Sequence, residues 1–165
     1  MPQTRPNNLN DLFEDTLKDI YFAEKQILRA LPKMAQAASS PPLREAFENH
    51  RQETEGHVER LTQIFEKLGK PAKGKTCDAI MGIIDESKEI MEKYKGADAL
   101  DAGLAASGQA VEHYEMARYG TLKTWATQLG MADAAKLLDQ TLQEEKAADE
   151  LLTRIATADI NKKAA

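Results

Sequence analysis

Acidic residues interrupt the apolar stripes of four amphipathic segments at similar depth. In the first segment, Glu24 stands four residues after Ile20 and three residues before Ile27, so its carboxylate lies on the apolar face of a helix. The acids at comparable positions in the other three segments are Glu53, Glu112, Glu115, Glu145 and Asp149. Burying an unpaired carboxylate is unfavourable, so acids that converge on one core require a cation to compensate them. The pattern predicts a buried metal site.

The residue types favour iron or manganese. Carboxylate oxygens with one or two imidazoles suit these ions, whereas a structural zinc site uses more sulfur and nitrogen ligands. The number of acids predicts a pair of ions. His57, one turn after Glu53 on the same face, is the candidate imidazole ligand, and His50 is predicted to orient the carboxylate of Glu53.

Interpretations without a metal compete with this one. Acids commonly lie at the margin of an apolar helix face, and a chain with 27 acidic residues places some of them near any stripe. For His57 the alternative is a packed core or interface histidine. The metal interpretation is favoured because all four segments carry an acid at similar depth and two of them carry acid pairs on one face.

Apolar residues recur every three or four positions over four long segments, which predicts four amphipathic helices. These helices are expected over about 10–38, from after Pro42 to Gly69, over about 98–128 and over about 131–160. A shorter helix that begins near Thr76 or Asp78 falls in the connection between the second and the third. The predicted fold is an all-α, ferritin-like four-helix bundle in which one long crossover contains an extra helix. One domain is expected over 1–165, with a disordered or extended leader over about 1–8 and a short tail over about 161–165.

The composition is that of long helices and argues against several functions. The 165 residues are 42% hydrophobic and 30% charged, with a formal net charge of −5, so no surface for nucleic acid or an anionic membrane is expected. Cys77 is the only cysteine, which excludes an intramolecular disulfide and favours a reducing compartment. No apolar stretch reaches the length of a membrane span. A cytoplasmic protein is expected.

Five segments carry a family resemblance. They are DLF at 11–13, YFAEKQ at 21–26, ETEGHVERL at 53–61, EHYEMARYGTL at 112–122 and TLQEEK at 141–146. Together they resemble the YciF-like family of bacterial stress-associated proteins, within the ferritin-like superfamily and related to rubrerythrins. The resemblance covers nearly the whole chain, and it implies a four-helix bundle that forms a homodimer.

The rubrerythrin pattern implies a role for each matching acid. Glu24 matches the single acid of the first helix, Glu53 the bridging acid of the second and Glu145 the acid of the fourth. Glu112 and Glu115 match the Glu-x-x-Glu of the third helix. The resemblance implies that these five acids bind metal, and that Glu53 bridges the ions together with Glu145 or Glu115.

Two departures from this pattern concern the imidazole ligands. Where the superfamily has Glu-x-x-His on the second and fourth helices, this chain has Gly56 and Ala148, and it offers His57 and Asp149 one residue later. A step of one residue rotates a side chain by about 100° around a helix. His57 and Asp149 are therefore candidate ligands of a site richer in carboxylates.

The predicted function is that of a di-iron or di-manganese carboxylate protein, possessing a site that reacts with peroxide or dioxygen during stress. No Cys-x-x-Cys pair is present in the sequence, so reduction of peroxide would require an external electron donor. The alternatives are a non-catalytic metal-binding or structural stress-protective protein, and a helical interaction protein without metal.

Overall fold

Helices account for most of the described chain. A computed structural model describes residues 6–165, and no strand occurs within them. The helices are α1 (Leu9–Ala37), α2 (Pro41–Lys67), α3 (Asp78–Lys93), α4 (Leu100–Gln128), α5 (Ala132–Ile155) and α6 (Asn161–Ala164), with a π-helical turn over Ala156–Ile160 between the last two. The predicted all-α bundle is confirmed. Residues 1–5 of the predicted leader lie outside the described residues.

Capping residues explain where the first two helices begin. The side chain of Asn8 accepts a hydrogen bond from the backbone N–H of Asp11, whose carboxylate accepts one from the backbone N–H of Asn8. Ser40 caps α2 through the backbone N–H of Leu43, and Pro41 follows at the first helical position, where no N–H is needed. Gly130 follows the end of α4 in the left-handed region at φ 74°, a conformation that favours glycine.

Contacts at the two ends of the bundle fix the direction of each helix. At one end, the Asp101 carboxylate of α4 accepts hydrogen bonds from the backbone N–H groups of Ser39 and Ser40, at 2.8 and 2.7 Å. At the other end, Nζ of Lys67 in α2 lies 3.3 Å from Oδ2 of Asp133 in α5. Helices α2 and α4 therefore run in one direction, and α1 and α5 run in the opposite direction. The crossover between α2 and α4 must return along the bundle, and its helix α3 packs on α1 and α4.

Buried apolar side chains fill the bundle on both sides of its centre. Those on the side of the α4–α5 turn include Leu17, Ile20, Leu61, Ile64 and Leu122. Those on the side of the α1–α2 turn include Leu31, Leu43, Phe47, Leu104 and Leu152. Only the middle layer is rich in charge. No helix within residues 6–165 combines the length and the apolar character needed to cross a bilayer.

The C-terminal segment differs from the prediction of one helix over 131–160 and a tail after it. Helix α5 ends at Ile155, the chain widens into the π-helical turn, and the predicted tail continues as α6. Leu152, Ala156 and Ile160 are buried at intervals of four residues. Residues four apart in an α-helix rotate slightly past one full turn, and a π-helical turn, with its longer repeat, reverses this drift and returns Ile160 to the face of Leu152.

The same substitution is expected to have opposite effects on stability at two glycines of α4. A Cβ on Gly103 would lie 2.6 Å from Cγ2 of Ile90 in α3, so Gly103→Ala is expected to destabilise the fold by about 1–3 kcal/mol. A Cβ on Gly120 would meet no atom within 4 Å, so Gly120→Ala is expected to stabilise it by about 0.5–1 kcal/mol through helix propensity. Urea unfolding measures both values. Equal effects would contradict the packing of α3 on α4.

Candidate metal centre

Six buried side chains from four helices meet at the middle of the bundle. They form two overlapping groups, and within each group the possible ligand atoms all lie within 4.8 Å of one another. Glu115 and Glu145 belong to both groups. The first group is completed by Glu24 and His57, and the second by His50 and Glu112. Helices α1 and α5 supply one acid each, α4 supplies two acids, and α2 supplies both histidines.

The spacing along α2 and α4 accounts for this convergence. His50 and His57 are seven residues apart, about two turns, so both project from the buried side of α2. Thr54 lies between them, and its hydroxyl donates a hydrogen bond to the carbonyl oxygen of His50 at 2.7 Å. Glu112 and Glu115, three residues apart, are buried on one side of α4.

Buried polar atoms without hydrogen-bond partners are concentrated at this site. Within residues 6–165 there are eight such side-chain nitrogen and oxygen atoms, and all eight belong to the two groups. Both carboxylate oxygens of Glu115 and both of Glu145 are among them. The other four atoms come one each from Glu24, His50, His57 and Glu112. Protein interiors pair the great majority of buried polar atoms, so eight unpaired ligand atoms at one place fit a bound cation.

Imidazole nitrogens face the acids at short distances. Nδ1 of His57 lies 2.9 Å from Oε1 of Glu145 and 3.3 Å from Oε1 of Glu24. Nε2 of His50 lies 2.9 Å from Oε1 of Glu112 and 3.4 Å from Oε2 of Glu145. Neither nitrogen has a hydrogen-bond partner in spite of these short distances, so the approaches lack the direction of a hydrogen bond. The same atoms can instead converge on an ion.

A further carboxylate lies against the outward ring nitrogen of each histidine. Nδ1 of His50 lies 3.0 Å from Oε2 of Glu53, and Nε2 of His57 lies 2.8 Å from Oε2 of Glu144. Glu144 in turn accepts two hydrogen bonds from Arg60, at 2.7 and 2.8 Å. Such partners fix the orientation and tautomer of histidines that bind metals. They leave Nε2 of His50 and Nδ1 of His57 directed at the central acids.

Burial and like charge act together on the two shared acids. Burial raises the pKa of Glu115 well above its usual value, and the charge of Glu145 raises it further. Burial likewise raises the pKa of Glu145 well above its usual value, with the charge of Glu112 as the next cause. Burial also opposes ionisation of Glu24, but the neighbouring His57 outweighs it and lowers the pKa of Glu24. The site therefore retains protons on its shared acids.

For the two histidines, burial opposes the charged form, but the neighbouring acids raise the pKa values. Burial alone would lower the pKa of His50, but its contacts with Glu112 and Glu53 together outweigh burial and raise that pKa to about 9. Burial also opposes protonation of His57, and contact with Glu24 outweighs it, so the pKa of His57 is raised. Without a metal, protonated imidazoles supply part of the positive charge that the acids require.

The structure brings together five of the seven residues predicted as metal ligands, namely Glu24, His57, Glu112, Glu115 and Glu145. Glu53 and Asp149 lie outside both groups. The Glu53 side chain is 46% exposed and contacts the outward side of His50. Asp149 lies 3.2 Å from Nε2 of His113 and accepts a hydrogen bond from Gln109. In this arrangement His50 faces the central acids, and Glu53 lies on the outward side of His50.

Sequence reasoning missed three residues that surround the groups. Glu144 and Arg60 support His57, and the buried phenol of Tyr119 donates a hydrogen bond to Oε1 of Glu24. The available signal for Tyr119 was its position four residues after Glu115 on the same helix face. Glu144 had no such signal, because it lies beside the predicted ligand Glu145 on the flank of α5.

The donor set suits a hard divalent cation. Each group offers three carboxylates and one imidazole, a combination that fits iron or manganese better than a sulfur-rich structural zinc site. The deprotonated acids would neutralise the charge of the ion, and the imidazoles would bind it in their neutral form.

An apolar cavity adjoins the second group. This inner cavity has a volume of about 270 Å³. Its wall at the centre of the bundle contains His50 and Glu112, and its other walls include Leu31, Phe47 and Leu152. Glu24 and His57 do not line it. A small molecule can therefore approach the second group more directly than the first.

Comparisons with known proteins agree with the segments identified in the sequence. A family model described as "Domain of unknown function (DUF892)" matches residues 8–165. Protein YciF of Escherichia coli (strain K12) is 47% identical over 157 residues, which cover 94% of this chain and 95% of that protein. The crystal structure of the E. coli stress protein YciF has a TM-score of 0.90 at 46% identity, covering 94% of this chain and 99% of that one. YcfI from Rhodopseudomonas palustris has a TM-score of 0.87 at 43% identity, covering 93% and 98%. The predicted resemblance to the YciF-like family is confirmed.

Metal binding is expected to strengthen as the pH rises. The pKa values of Glu115, Glu145, His50 and His57 are all raised, so these groups carry protons at a pH where ordinary carboxyl and imidazole groups have lost them. An ion must displace these protons, so the affinity for Mn²⁺ should rise between about pH 6 and pH 8. Calorimetry in buffers of different ionisation enthalpy measures the protons released. The exposed His113 provides the control, because His113→Gln should release the same number. An affinity independent of pH would contradict this prediction.

Proposed function

The chain belongs to the DUF892 family, and from this premise we propose that it is a ferritin-like dimetal carboxylate protein that holds two iron or two manganese ions between α1, α2, α4 and α5. The observation that carries the proposal is the concentration of unpartnered carboxylate and imidazole atoms in two adjoining groups. Eight protein ligand atoms give four to each ion. Iron and manganese accept more ligands than four, so positions remain for a small molecule.

The unpartnered atoms suggest which acids bridge. A bridging carboxylate uses both oxygens, and Glu115 and Glu145 are the acids with both oxygens unpartnered. Both also belong to the two groups. The terminal ligands proposed are Glu24 and His57 for one ion, and His50 and Glu112 for the other.

We propose that the centre reacts with hydrogen peroxide or dioxygen in a stress response. The relative YciF is described as a stress protein, and the inner cavity offers a path to the His50 and Glu112 side of the centre. When bound, an iron or manganese pair supplies redox chemistry toward such oxygen species. The protein's own contribution is to orient the ligands through Glu53 and Glu144, and to keep water away with apolar cavity walls. An external electron donor would complete a reductive cycle.

A second candidate is a non-catalytic protein that uses metal for stability. The four acids of the two groups are at most 2% exposed, so an ion would stabilise the fold even if no reaction took place. In this case the metal would compensate buried charge and the inner cavity would have no substrate. The function would then be structural protection under stress.

The proposal extends to the location and the oligomeric state of the protein. We place the protein in the cytoplasm, where a reduced Cys77 is stable, and we expect it to form a homodimer. Light scattering of the purified chain measures its oligomeric state.

Anaerobic titration with Fe²⁺ or Mn²⁺ is expected to show two ions per chain. Glu115→Gln and Glu145→Gln each remove a bridging charge, and each should lower the affinity at least about 100-fold, more than the loss of an outer partner. Both acids have raised pKa values without metal, so a neutral glutamine should not unfold the metal-free protein, and thermal unfolding checks this. Glu48→Gln is the matched control, because Glu48 is exposed on α2. Two ions bound at wild-type affinity by both bridging variants would contradict the proposal.

Mixing the metal-loaded protein with peroxide distinguishes the two candidate functions. A change in oxidation state, followed by stopped-flow absorbance and electron paramagnetic resonance, is expected for the redox function. A higher melting temperature with no change in oxidation state would support the structural function instead. Glu115→Gln should lose the oxidation signal, and Glu48→Gln should retain it.

A further inference from the structure

A second opening lies next to the inner cavity. This outer cleft, of about 120 Å³, is formed between α1 and α3. It shares four lining residues with the inner cavity: Ala30, Met34, Ile84 and Ser87. The two spaces therefore adjoin across these side chains. Met34 is the largest flexible side chain at this junction, and methionine adapts its shape readily to an occupant.

The outer cleft combines an apolar floor with a positive rim. Met81 and Met91 of α3 line it together with Met34. Its charged lining residues are Arg29, Lys33 and Lys88, and no acid lines it. Three cations without an acid contrast with the net charge of −5 of the chain.

Two of these cations are not neutralised by the protein. Lys88 is paired with Asp85, at 3.1 Å. Within residues 6–165, Arg29 and Lys33 form no ion pair. The opposite side of the inner cavity is lined by Glu53 and Arg154, which carry opposite charges and give no net attraction for an anion. An anionic group is therefore favoured at the outer cleft.

We propose that the outer cleft and the inner cavity together bind a linear fatty acid. Its carboxylate lies at Arg29 and Lys33, its chain passes between Ala30 and Ile84, and its far end lies beside His50 and Glu112. The site itself does not require a metal. The placement of the chain end beside a metal centre rests on the proposed dimetal function.

The length of the path favours a chain of medium length. Lys33 at the rim and Ile27 in the wall of the inner cavity are six residues apart on α1, an axial distance of about 9 Å at 1.5 Å per residue. Walls of leucine, isoleucine, methionine and phenylalanine suit methylene groups, and each added CH₂ should tighten binding by about fourfold until the path is full. A series from hexanoate to tetradecanoate should therefore reach a plateau.

Displacement of a fluorescent fatty acid, cis-parinaric acid, tests the site on the full metal-free chain. Decanoate is expected to displace it, and decanol should bind at least about tenfold more weakly because it lacks the charge. Lys33→Glu and Arg29→Glu should each weaken decanoate by about tenfold and leave decanol unchanged. Lys136→Glu, an exposed charge reversal on α5, is the control and should change neither. Equal affinities for decanoate and decanol in the wild type and in Lys33→Glu would overturn the carboxylate position.

A blocked junction tests the path. Ala30→Trp should reduce decanoate binding at least about tenfold, whereas Ala106→Trp, on an exposed position of α4, should not. Circular dichroism verifies that both variants are folded. If Ala30→Trp is folded and binds decanoate like the wild type, the path is wrong. No displacement of cis-parinaric acid by any chain length in the wild type would overturn the whole proposal.

Paramagnetic broadening separates this proposal from the dimetal function. In Mn²⁺-loaded protein, the ¹³C-labelled terminal methyl group of decanoate should broaden more than its labelled carboxylate. The reverse order would overturn the orientation. If the protein binds no Mn²⁺ but still exchanges cis-parinaric acid for decanoate, the dimetal function fails while the fatty-acid site stands.

Discussion

Four carboxylates share a small volume in the middle of this bundle, and their buried negative charge constrains the structure around them. Each is at most 2% exposed, and Glu115 has no hydrogen-bond partner on either oxygen. Water cannot solvate these groups, so protons or cations must balance them. The raised pKa values of Glu115 and Glu145 describe the balance by protons. A metal pair would replace those protons with ions at the same atoms.

The alignment of the helix ends makes this concentration of charge possible. The start of α4 contacts the α1–α2 turn and the end of α2 contacts the start of α5, so the midpoints of the four helices lie at one level of the bundle. The acids and histidines are each near the middle of a helix, and apolar layers close both ends. An up-down-up-down bundle would use three short turns, whereas this arrangement needs the crossover that contains α3. The same crossover provides one wall of the outer cleft.

The sequence was sufficient for the bundle and for the four acids that meet at its centre, and it is least informative where a small rotation decides which side chain faces inward. Apolar periodicity locates a helix face to within about one residue, or about 100°. Glu53 is three residues after His50, and this offset is enough to turn its carboxylate outward while His50 and His57 turn inward. Asp149 is likewise directed toward His113 on the flank. The family pattern assigns the ligand role of α2 to Glu53, whereas the α2 side chains that face the central acids in this structure are His50 and His57.

The two halves of the centre are held differently, and this difference determines which half a small molecule can reach. In the first group, Tyr119 fixes Glu24, and the Arg60–Glu144 pair fixes His57, so both terminal groups are enclosed by ordered partners. In the second group, the half-exposed Glu53 lies against the outward nitrogen of His50, and both His50 and Glu112 line the apolar inner cavity. An ion in the first group would be confined by the protein. An ion in the second group would be the one accessible to a small molecule, and to the end of any chain that fills the inner cavity.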